Sequence, residues 1–200
     1  MAGRPREFDR DLALEKARDA FWARGYEGVS MSDLVLAMGI ASARIYAAFG
    51  SKEALFREAV GLYEAGEGAF AAHALSEAGS AREAIERMLR DAVSVYTASG
   101  SRRGCMVVSA GTNCAVENDQ VMAWLAEHRR ARTQSIIDTL RAAQRAGELE
   151  AGADVAALGD CYATFLHGLS VQARDGVDAA RLLAMIPCAM AALDKVLRPQ

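Results

Sequence analysis

The stretch SMSDLVLAMGIASARIYAAFGSKEALF, residues 30–56, is the part of this chain that decides its fold. Two short amphipathic patterns meet at the Met-Gly-Ile turn of residues 38–40, and two aromatic side chains, Tyr46 and Phe49, follow in the second pattern. A helix-turn-helix that places its second helix in the major groove of duplex DNA has this arrangement. The stretch therefore predicts a DNA-binding protein.

The first helix of this pair carries clear signals at both ends. Ser30 is a good N-cap, and Asp33 stands three residues later, at the acid position of a capping box. Gly39 suits the left-handed conformation that ends a helix, and Ile40 is expected to fill the corner between the two helices. The buried stripe of this helix is predicted to consist of Leu34, Val35 and Met38.

The second helix, predicted over residues 42–49, separates into two faces because successive residues turn by about 100°. Ile45 and Phe49 fall on the core side. The outward side is small and consists of Ala43, Arg44, Tyr46 and Ala47. Such a surface fits closely into a major groove, where arginine reads guanine and methyl groups meet thymine methyls. An exposed alanine-rich helix without a partner has the same composition, and the neighbouring turn is what favours DNA binding.

Basic side chains stand at two places around this motif, although the chain has a net charge of −3. Arg4, Arg6 and Arg10 lie around a proline, as in a basic arm that reaches a DNA groove or in an ordinary solvated terminus. Lys52 stands in the first turn of a further helix, where the helix dipole disfavours a cation. A phosphate opposite this helix N-terminus would explain it. Residues 1–60 hold nine basic and nine acidic side chains, so the excess acid lies beyond the motif.

Several short motifs in the first 60 residues resemble a known family in both order and spacing. They are Phe21-x3-Gly25-Tyr26, Met31-Ser32-Asp33-Leu34, Met38-Gly39-Ile40, Ile45-Tyr46-x2-Phe49 and Ser51-Lys52-Glu53-x-Leu55-Phe56. Together they resemble the N-terminal domain of TetR-type (TetR/AcrR) transcriptional regulators. The resemblance covers about residues 8–60, and its specificity comes from several motifs that occur in the right order.

The resemblance implies an all-α homodimer that acts as a ligand-responsive repressor on a near-palindromic operator. It implies a three-helix DNA-binding domain, predicted over residues 1–50, and a larger helical domain for effector binding and dimerisation over residues 51–200. The DNA contacts that it implies are Ser32, Tyr46 and Lys52 for phosphates and Arg44 for a base.

Two features depart from the family pattern. Ala41 stands where Ser or Thr is frequent, so the DNA-reading helix must be capped by Ser42 or by backbone geometry. Ala47 and Ala48 stand where relatives often have an aromatic residue and a histidine. Sequence preference would then depend on Arg44, on alanine methyl groups and on DNA shape.

The rest of the chain shows helical periodicity interrupted by glycines and acidic caps. Helices are predicted over residues 80–99, 105–108 and 118–146, and two more are predicted after Asp154 and Asp178. The last two are expected to pair with those of a second subunit in a four-helix interface. Gly61, Gly66 and Gly68 predict a weak or bent segment after Lys52.

Effector-binding residues are expected where aromatic or polar side chains stand on otherwise apolar helices. The candidates are Tyr96, Met106, Trp124, Tyr162, Phe165 and His167. Each is individually more typical of a core position than of a pocket. Together they predict a small apolar effector.

Other classes of function have little support in the sequence. It contains no nucleophile–base arrangement, phosphate-binding glycine loop or HExxH motif, so no catalytic residue, metal site or cofactor is expected. The four cysteines, Cys105, Cys114, Cys161 and Cys188, lack CxxC spacing and are expected to be reduced and buried. One alternative keeps the fold but senses metal or oxidant through Cys105 and Cys114. Another uses the helix-turn-helix to contact a protein.

The overall composition agrees with an all-α chain of one or two small domains. Hydrophobic residues make up 52% of the 200 positions, and there are only 3 prolines. No stretch approaches the roughly 20 apolar residues of a membrane span, so no membrane partner is expected. We therefore expect a cytoplasmic protein whose partners are operator DNA, a small effector and a second copy of the chain.

Overall fold

All the regular structure in the described part of the chain is helical. The computed structural model describes residues 8–98, 103–111 and 115–198; the predicted arm residues Arg4 and Arg6, together with Cys114, lie outside these ranges. The helices are α1 (Arg10–Arg24), α2 (Met31–Met38), α3 (Ser42–Phe49), α4 (Lys52–Ala65), α5 (Phe70–Glu77), α6 (Ala81–Thr97), α7 (Met106–Ser109), α8 (Asp119–Ala146), α9 (Val155–Arg174) and α10 (Ala179–Asp194), with 3₁₀ turns at Glu67–Ala69 and Val116–Asn118. The predicted all-α fold is confirmed.

The turn between α2 and α3 has the predicted helix-turn-helix geometry. Ser30 and Asp33 form both hydrogen bonds of a capping box: Asp33 N donates to Ser30 Oγ at 3.1 Å, and Ser30 N donates to Asp33 Oδ2 at 2.8 Å. Hydrogen bonds from Ser30 and then from Arg24 hold the pKa of Asp33 well below its usual value. Gly39 is left-handed, with φ 70° and ψ 23°, and the two helices are bent by 93° across it. Only this bent pair, and no single helix in the described ranges, matches a membrane span in length and composition.

Helix α3 begins without a side-chain cap. Ala41 is its N-cap residue, and no side-chain hydrogen bond closes this end. The Ala41 carbonyl accepts hydrogen bonds from Arg44 N at 2.9 Å and from Ile45 N at 3.2 Å. Backbone geometry, rather than the Ser42 hydroxyl, therefore starts the DNA-reading helix.

Helix α4 connects the helix-turn-helix to the rest of the molecule. It continues through Gly61 without interruption and ends at Gly66, where a 3₁₀ turn leads into α5. Phe56 of α4 packs edge-on against Phe21 of α1, with 5.1 Å between the ring centroids. The predicted weak segment is thus confined to the end of α4, and its N-terminal part is firmly attached to α1.

Helices α5 to α10 pack together as a helical bundle. Helix α8 lies along α9, and α6 packs against α5, α9 and α10. Buried side chains form one connected core that extends from Ala13 of α1 to Leu193 of α10. The core therefore has no gap at the domain boundary predicted between residues 50 and 51, and that boundary stays a prediction.

The cysteines of the described residues differ in exposure. Cys105 is fully buried, as the sequence predicts, whereas Cys161 of α9 and Cys188 of α10 are exposed. The prediction that all of them are buried is therefore wrong for these two. Both lie on the outward faces of their helices. The prediction fails because the presence of a cysteine in an amphipathic helix does not indicate whether it lies on the buried or on the exposed face.

Candidate DNA interface and effector groove

The outward face of α3 carries the side chains that were predicted to meet DNA. Ile45 and Phe49 are buried, with 1% and 5% of their surfaces exposed, and they attach the helix to the core. The exposed residues of the opposite face are Ser42, Ala43, Arg44, Tyr46 and Ala47. Helix α3 contains no acidic residue, so nothing on this face of the helix would repel phosphate.

Arg10 holds the C-terminal end of α3 against the body of the domain. Its guanidinium lies 4.3 Å from the centre of the Phe49 ring and donates to the Ala48 carbonyl at 3.4 Å. The same group forms an ion pair of 2.7 Å with Glu58 of α4. The sequence places Arg10 in the basic arm, whereas in the structure its side chain positions the DNA-reading helix.

Lys52 is oriented by an aromatic ring at the start of α4. Its Nζ atom lies 4.2 Å from the centre of the Tyr26 ring, in a cation–π contact. Ser51 caps the helix by accepting a hydrogen bond from Ala54 N at 3.0 Å. Ser32, the other predicted phosphate contact, is exposed in the first turn of α2. Lys52 and Ser32 therefore both stand in the first turn of a helix, and their DNA contacts stay predictions.

A short segment of the larger domain, residues 103–111 around α7, is tied directly to α1. Trp22 Nε1 donates to the Gly104 carbonyl at 2.9 Å, and Tyr26 N donates to the Ala110 carbonyl at 3.0 Å. Gly25 ends α1 at φ 75° and ψ 175°, a positive-φ conformation that favours glycine. A Cβ at Gly25 would lie 3.3 Å from the Ala110 oxygen, so glycine permits this close approach.

The connection continues beside this segment through charged groups. Arg103 forms a 3.2 Å ion pair with Asp19 of α1. Glu27 accepts hydrogen bonds from Ala115 N at 2.8 Å and from the Asn118 side chain. These two hydrogen bonds, in that order, lower the pKa of Glu27, which is therefore a carboxylate held between the two parts of the molecule.

A groove of about 470 Å³ opens between α8 and the segment that runs from the end of α4 into α5. Its apolar lining consists of Ala69, Ala71, Ala72, Leu75 and Ala131, and its polar lining consists of Glu64, Glu127, His128, Arg132 and Ser135. Glu64 accepts a 2.8 Å hydrogen bond from His128 Nδ1 and lies 3.7 Å from Arg132. No local sequence pattern links His128 to Glu64, because the two residues are 64 positions apart. Among the described residues, no group of three or more His, Cys, Asp or Glu side chains stands close enough to hold a metal ion.

The six predicted effector residues are spread through the larger domain. The described lining of this groove includes none of them. Tyr96 and Met106 are wholly buried, whereas Phe165 is half-buried at the edge of the core. The fold does not bring these six residues together around the groove. Their role in effector binding stays a prediction.

The other three candidates each have a defined neighbour. Trp124 packs against the His128 ring, with 4.2 Å between the centroids, and therefore stands beside the groove. Tyr162 donates to the Ala189 carbonyl at 3.1 Å, and burial raises its pKa to about 12. Burial, and then the charges of nearby arginines, lower the pKa of His167. Tyr162 is thus engaged in packing α9 on α10.

Comparisons with known proteins agree with this architecture. The family model described as bacterial regulatory proteins, tetR family, matches residues 13–59, and the model of the tetracyclin repressor-like C-terminal domain matches residues 79–185. The HTH-type transcriptional repressor ComR of Escherichia coli K12 is 30% identical over 185 residues, which cover 90% of this chain and 87% of ComR. The repressor BdcR of the same organism is 28% identical over 199 residues, covering 98% and 95% of the two chains.

A solved structure extends the likeness to a DNA complex. The TetR family regulator CifR, as a triple cysteine mutant bound to a 26-base-pair operator, superposes with a TM-score of 0.90. It is 43% identical, and the match covers 95% of this chain and 99% of that one. Helix order, the capped turn and matches in both halves all agree. This chain therefore belongs to the TetR family of transcriptional regulators and binds operator DNA.

Proposed function

We propose that this protein is a repressor without enzymatic activity, which binds a near-palindromic operator as a homodimer and leaves it when an effector binds. The observation that carries the proposal is the exposed, acid-free face of α3, which Arg10 and the buried residues of α3 hold rigidly. The names of ComR and BdcR, both repressors, support repression rather than activation. The matching family model describes bacterial regulators, whose DNA lies in the cytoplasm, so we place the protein there.

Each DNA-facing side chain has a distinct proposed role. Arg44 reads a guanine, while the methyl groups of Ala43 and Ala47 meet thymine methyl groups. The phosphate contacts are Ser32, Ser42, Tyr46 and Lys52, which position the helix but carry no sequence information. Arg4 and Arg6, which lie outside the described residues, complete the proposed set as a basic arm.

Dimerisation is proposed through α9 and α10, because both present a stripe of mostly small exposed side chains. On α9 the stripe is Ala157, Cys161, Thr164, Gly168 and Val171, and on α10 it is Ala180, Ala184, Pro187, Cys188 and Ala191. Small residues repeated at three- and four-residue intervals lie on one helix face and let a partner helix approach closely. A four-helix interface of this kind would set two α3 helices about 34 to 36 Å apart, in successive major grooves.

The effector is proposed to be a small, mainly apolar molecule that binds in the groove beside Trp124. Alanines and Leu75 form most of the apolar wall, and the Glu64–His128–Arg132 cluster supplies hydrogen-bonding groups at one end. Glu64 belongs to α4, whose first turn holds Lys52 at the DNA side. An occupant that moves α4 would therefore change the spacing of the two reading helices. Such coupling is typically about 1 to 3 kcal/mol.

The proposed function is tested by binding to the DNA upstream of its own gene across a range of salt concentrations. Contact with phosphates predicts an affinity that falls steeply as salt rises, with protection of two half-sites one helical turn apart. An affinity that is independent of salt, or the absence of a protected palindrome, would instead favour the adaptor that uses this motif for protein contact. Size measurement of the free protein at the same concentrations tests the dimer separately.

A further inference from the structure

A buried polar cluster lies behind the effector groove and is not used by the proposed function. It consists of Cys105, Arg132, Tyr63 and Tyr96, and we name it the Cys105 cluster. Cys105 is fully buried at the start of α7, and Arg132 Nη1 of α8 donates to its Sγ atom at 3.5 Å. The two tyrosines come from α4 and α6, so four helices meet at this sulfur atom.

The two tyrosine hydroxyls of the cluster lack a good acceptor. Both side chains are almost completely buried, and neither hydroxyl forms a hydrogen bond of normal geometry with a described residue. The polar group that both approach is the Cys105 sulfur, which is a weak acceptor. Burial, followed by the proximity of Cys105, raises the pKa of Tyr63 and of Tyr96, so both are neutral donors beside the thiol. Leaving a buried hydroxyl without a good acceptor is unfavourable, so two of them beside one sulfur atom favour the formation of a stronger acceptor there.

The space around the sulfur atom limits the size of any group that could accept hydrogen bonds from the two tyrosines. Arg132 lines the groove on one side and contacts Cys105 on the other, but the described groove lining does not include Cys105, Tyr63 or Tyr96. Protein interiors are close-packed, so a bulky organic molecule has no room at this thiol. A single oxygen atom bonded to the sulfur is the smallest addition that would give both hydroxyls a stronger acceptor.

We propose that Cys105 is a peroxide-reactive thiol, and that its oxidation to sulfenic acid by hydrogen peroxide or a small alkyl hydroperoxide releases the protein from DNA. This rests on the proposed function as an operator-binding regulator. The sulfur attacks the terminal peroxide oxygen: an S–O bond forms, the O–O bond breaks, sulfur loses two electrons and the peroxide gains them. The thiol proton leaves with the departing oxygen as water or an alcohol.

The neighbours of Cys105 fit each stage of this reaction. Arg132 places a positive charge beside the sulfur, and thiols attack peroxides as thiolate anions. The new oxygen then accepts hydrogen bonds from Tyr63 and Tyr96 and interacts with the Arg132 guanidinium. The oxidised form is therefore stabilised by stronger hydrogen bonds than the sulfur atom accepts in the reduced form.

A structural change caused by oxidation of Cys105 would be transmitted to the DNA-binding helices through the adjacent backbone, which is hydrogen-bonded to α1. Cys105 N donates to Ser170 Oγ at 2.7 Å, and the adjacent Gly104 carbonyl accepts from Trp22 of α1. Gly104 has φ 61°, and a Cβ there would lie 2.5 Å from the Ser170 oxygen, so this backbone has little room to adjust. An oxygen added at Cys105 must be accommodated by movement of α7, or of Tyr63 with α4. Both helices are attached to the DNA-binding part.

The experiment compares two variants in the otherwise intact chain. One keeps Cys105 alone, by combining Cys114→Ser, Cys161→Ser and Cys188→Ser, and the other is Cys105→Ala. Each is treated with hydrogen peroxide in the folded state, and operator binding is followed by fluorescence anisotropy. A second portion is freed of peroxide and unfolded in urea that contains dimedone, so that the trap reaches the buried sulfur, and is then analysed by mass spectrometry. Helical content by circular dichroism checks that both variants are folded before treatment.

The chain with Cys105 alone is expected to acquire dimedone and to lose operator affinity at least tenfold, with recovery after dithiothreitol. Cys105→Ala is expected to stay bound under the same treatment. The proposal is overturned if Cys105→Ala is released as readily as wild type, or if folded protein with Cys105 alone never labels. Operator binding before treatment tests the proposed function separately: a chain that binds its operator but ignores peroxide refutes only the Cys105 proposal.

Tyr63→Phe tests the cluster rather than the thiol alone. Loss of one donor to a charged oxygen is expected to slow dimedone labelling of Cys105 about tenfold. Tyr162→Phe is the matched control, because its hydroxyl donates to the Ala189 carbonyl and not to the sulfur, and it should leave the labelling rate of Cys105 unchanged. Equal slowing by both substitutions, or no slowing by Tyr63→Phe, would contradict the role given to the hydroxyl.

Discussion

The helix-turn-helix and the segment of residues 103–111 are held in place by different kinds of interaction. The helix-turn-helix is specified locally, by a capping box between Ser30 and Asp33 and by a left-handed Gly39. The segment around α7 is only a few residues long, and its conformation depends on partners from α1, α8 and α9. Substitutions on the exposed face of the helix-turn-helix are therefore expected to alter DNA binding with little effect on stability. Substitutions in the α7 segment are expected to alter both the stability of the protein and the connection to its DNA-binding helices.

The largest expected effect is that of Gly104→Ala in the α7 segment. A Cβ would lie 2.5 Å from the Ser170 oxygen and 2.8 Å from its Oγ, at a φ of 61° that alanine also disfavours. Clash and backbone strain together should lower the free energy of unfolding by about 3 kcal/mol or more, as measured by urea denaturation. Gly147→Ala is the matched control, because its φ is 84° but its Cβ would meet nothing within 4 Å. It should cost only about 1 kcal/mol.

Similar losses of unfolding free energy for the two glycine variants would contradict the distinction between the α7 segment and the helix-turn-helix. They would mean that the α7 segment adjusts freely around Gly104, and that positive φ alone determines the cost. The backbone at Gly104 would then be too adjustable to transmit a change at Cys105 to α1. The DNA-binding face would be unaffected.

The next effect concerns DNA affinity rather than stability. Arg44→Ala should remove discrimination at one base pair, worth about 1 to 3 kcal/mol, and leave non-specific binding nearly unchanged. Lys52→Ala should weaken binding to all sequences about equally and reduce the slope of log affinity against log salt by about 1. Competition between operator and scrambled duplexes at several salt concentrations separates the two. Indistinguishable behaviour of the two variants would contradict the assigned roles.

The same contrast explains how much the sequence could predict. Helix order, the capping box, Gly39 and the exposed face of α3 depend on residues three or four positions apart, so periodicity and cap chemistry were sufficient. Arg10 could not be assigned in that way, because its partner Glu58 is 48 positions away.

The contacts of the larger domain are even less local. The pairs Trp22–Gly104 and Glu64–His128 are separated by 82 and 64 positions, and no local pattern indicates either of them. Aromatic or polar groups on apolar helices predict effector-binding residues, but core residues such as Tyr96 have the same pattern. Only packing shows that its hydroxyl lies beside a thiol.

A smaller effect is expected where the two regions meet. Trp22→Phe removes the donor to the Gly104 carbonyl and should cost about 2 kcal/mol of stability, because that buried oxygen loses its partner. Tyr162→Phe is the control, since it removes a similar donor to the Ala189 carbonyl inside the larger domain. Both should be destabilised to a similar extent in denaturation experiments. Only Trp22→Phe should weaken the effect of peroxide on operator binding, and an equal weakening by Tyr162→Phe would argue against a relay through Gly104.

The smallest effect is expected from the caps of the helix-turn-helix itself. Ser30→Ala should lower the free energy of unfolding by about 1 kcal/mol, because the Asp33 amide at the start of α2 loses its acceptor. Ser51→Ala removes the N-cap of α4, which lacks the reciprocal bond of the capping box, and should cost somewhat less. Because Ser30 lies outside the reading face, its replacement should reduce affinity for operator and scrambled DNA in parallel. A selective loss of operator binding would instead show that the cap determines the orientation of Arg44, so that the reading face is not specified by α3 alone.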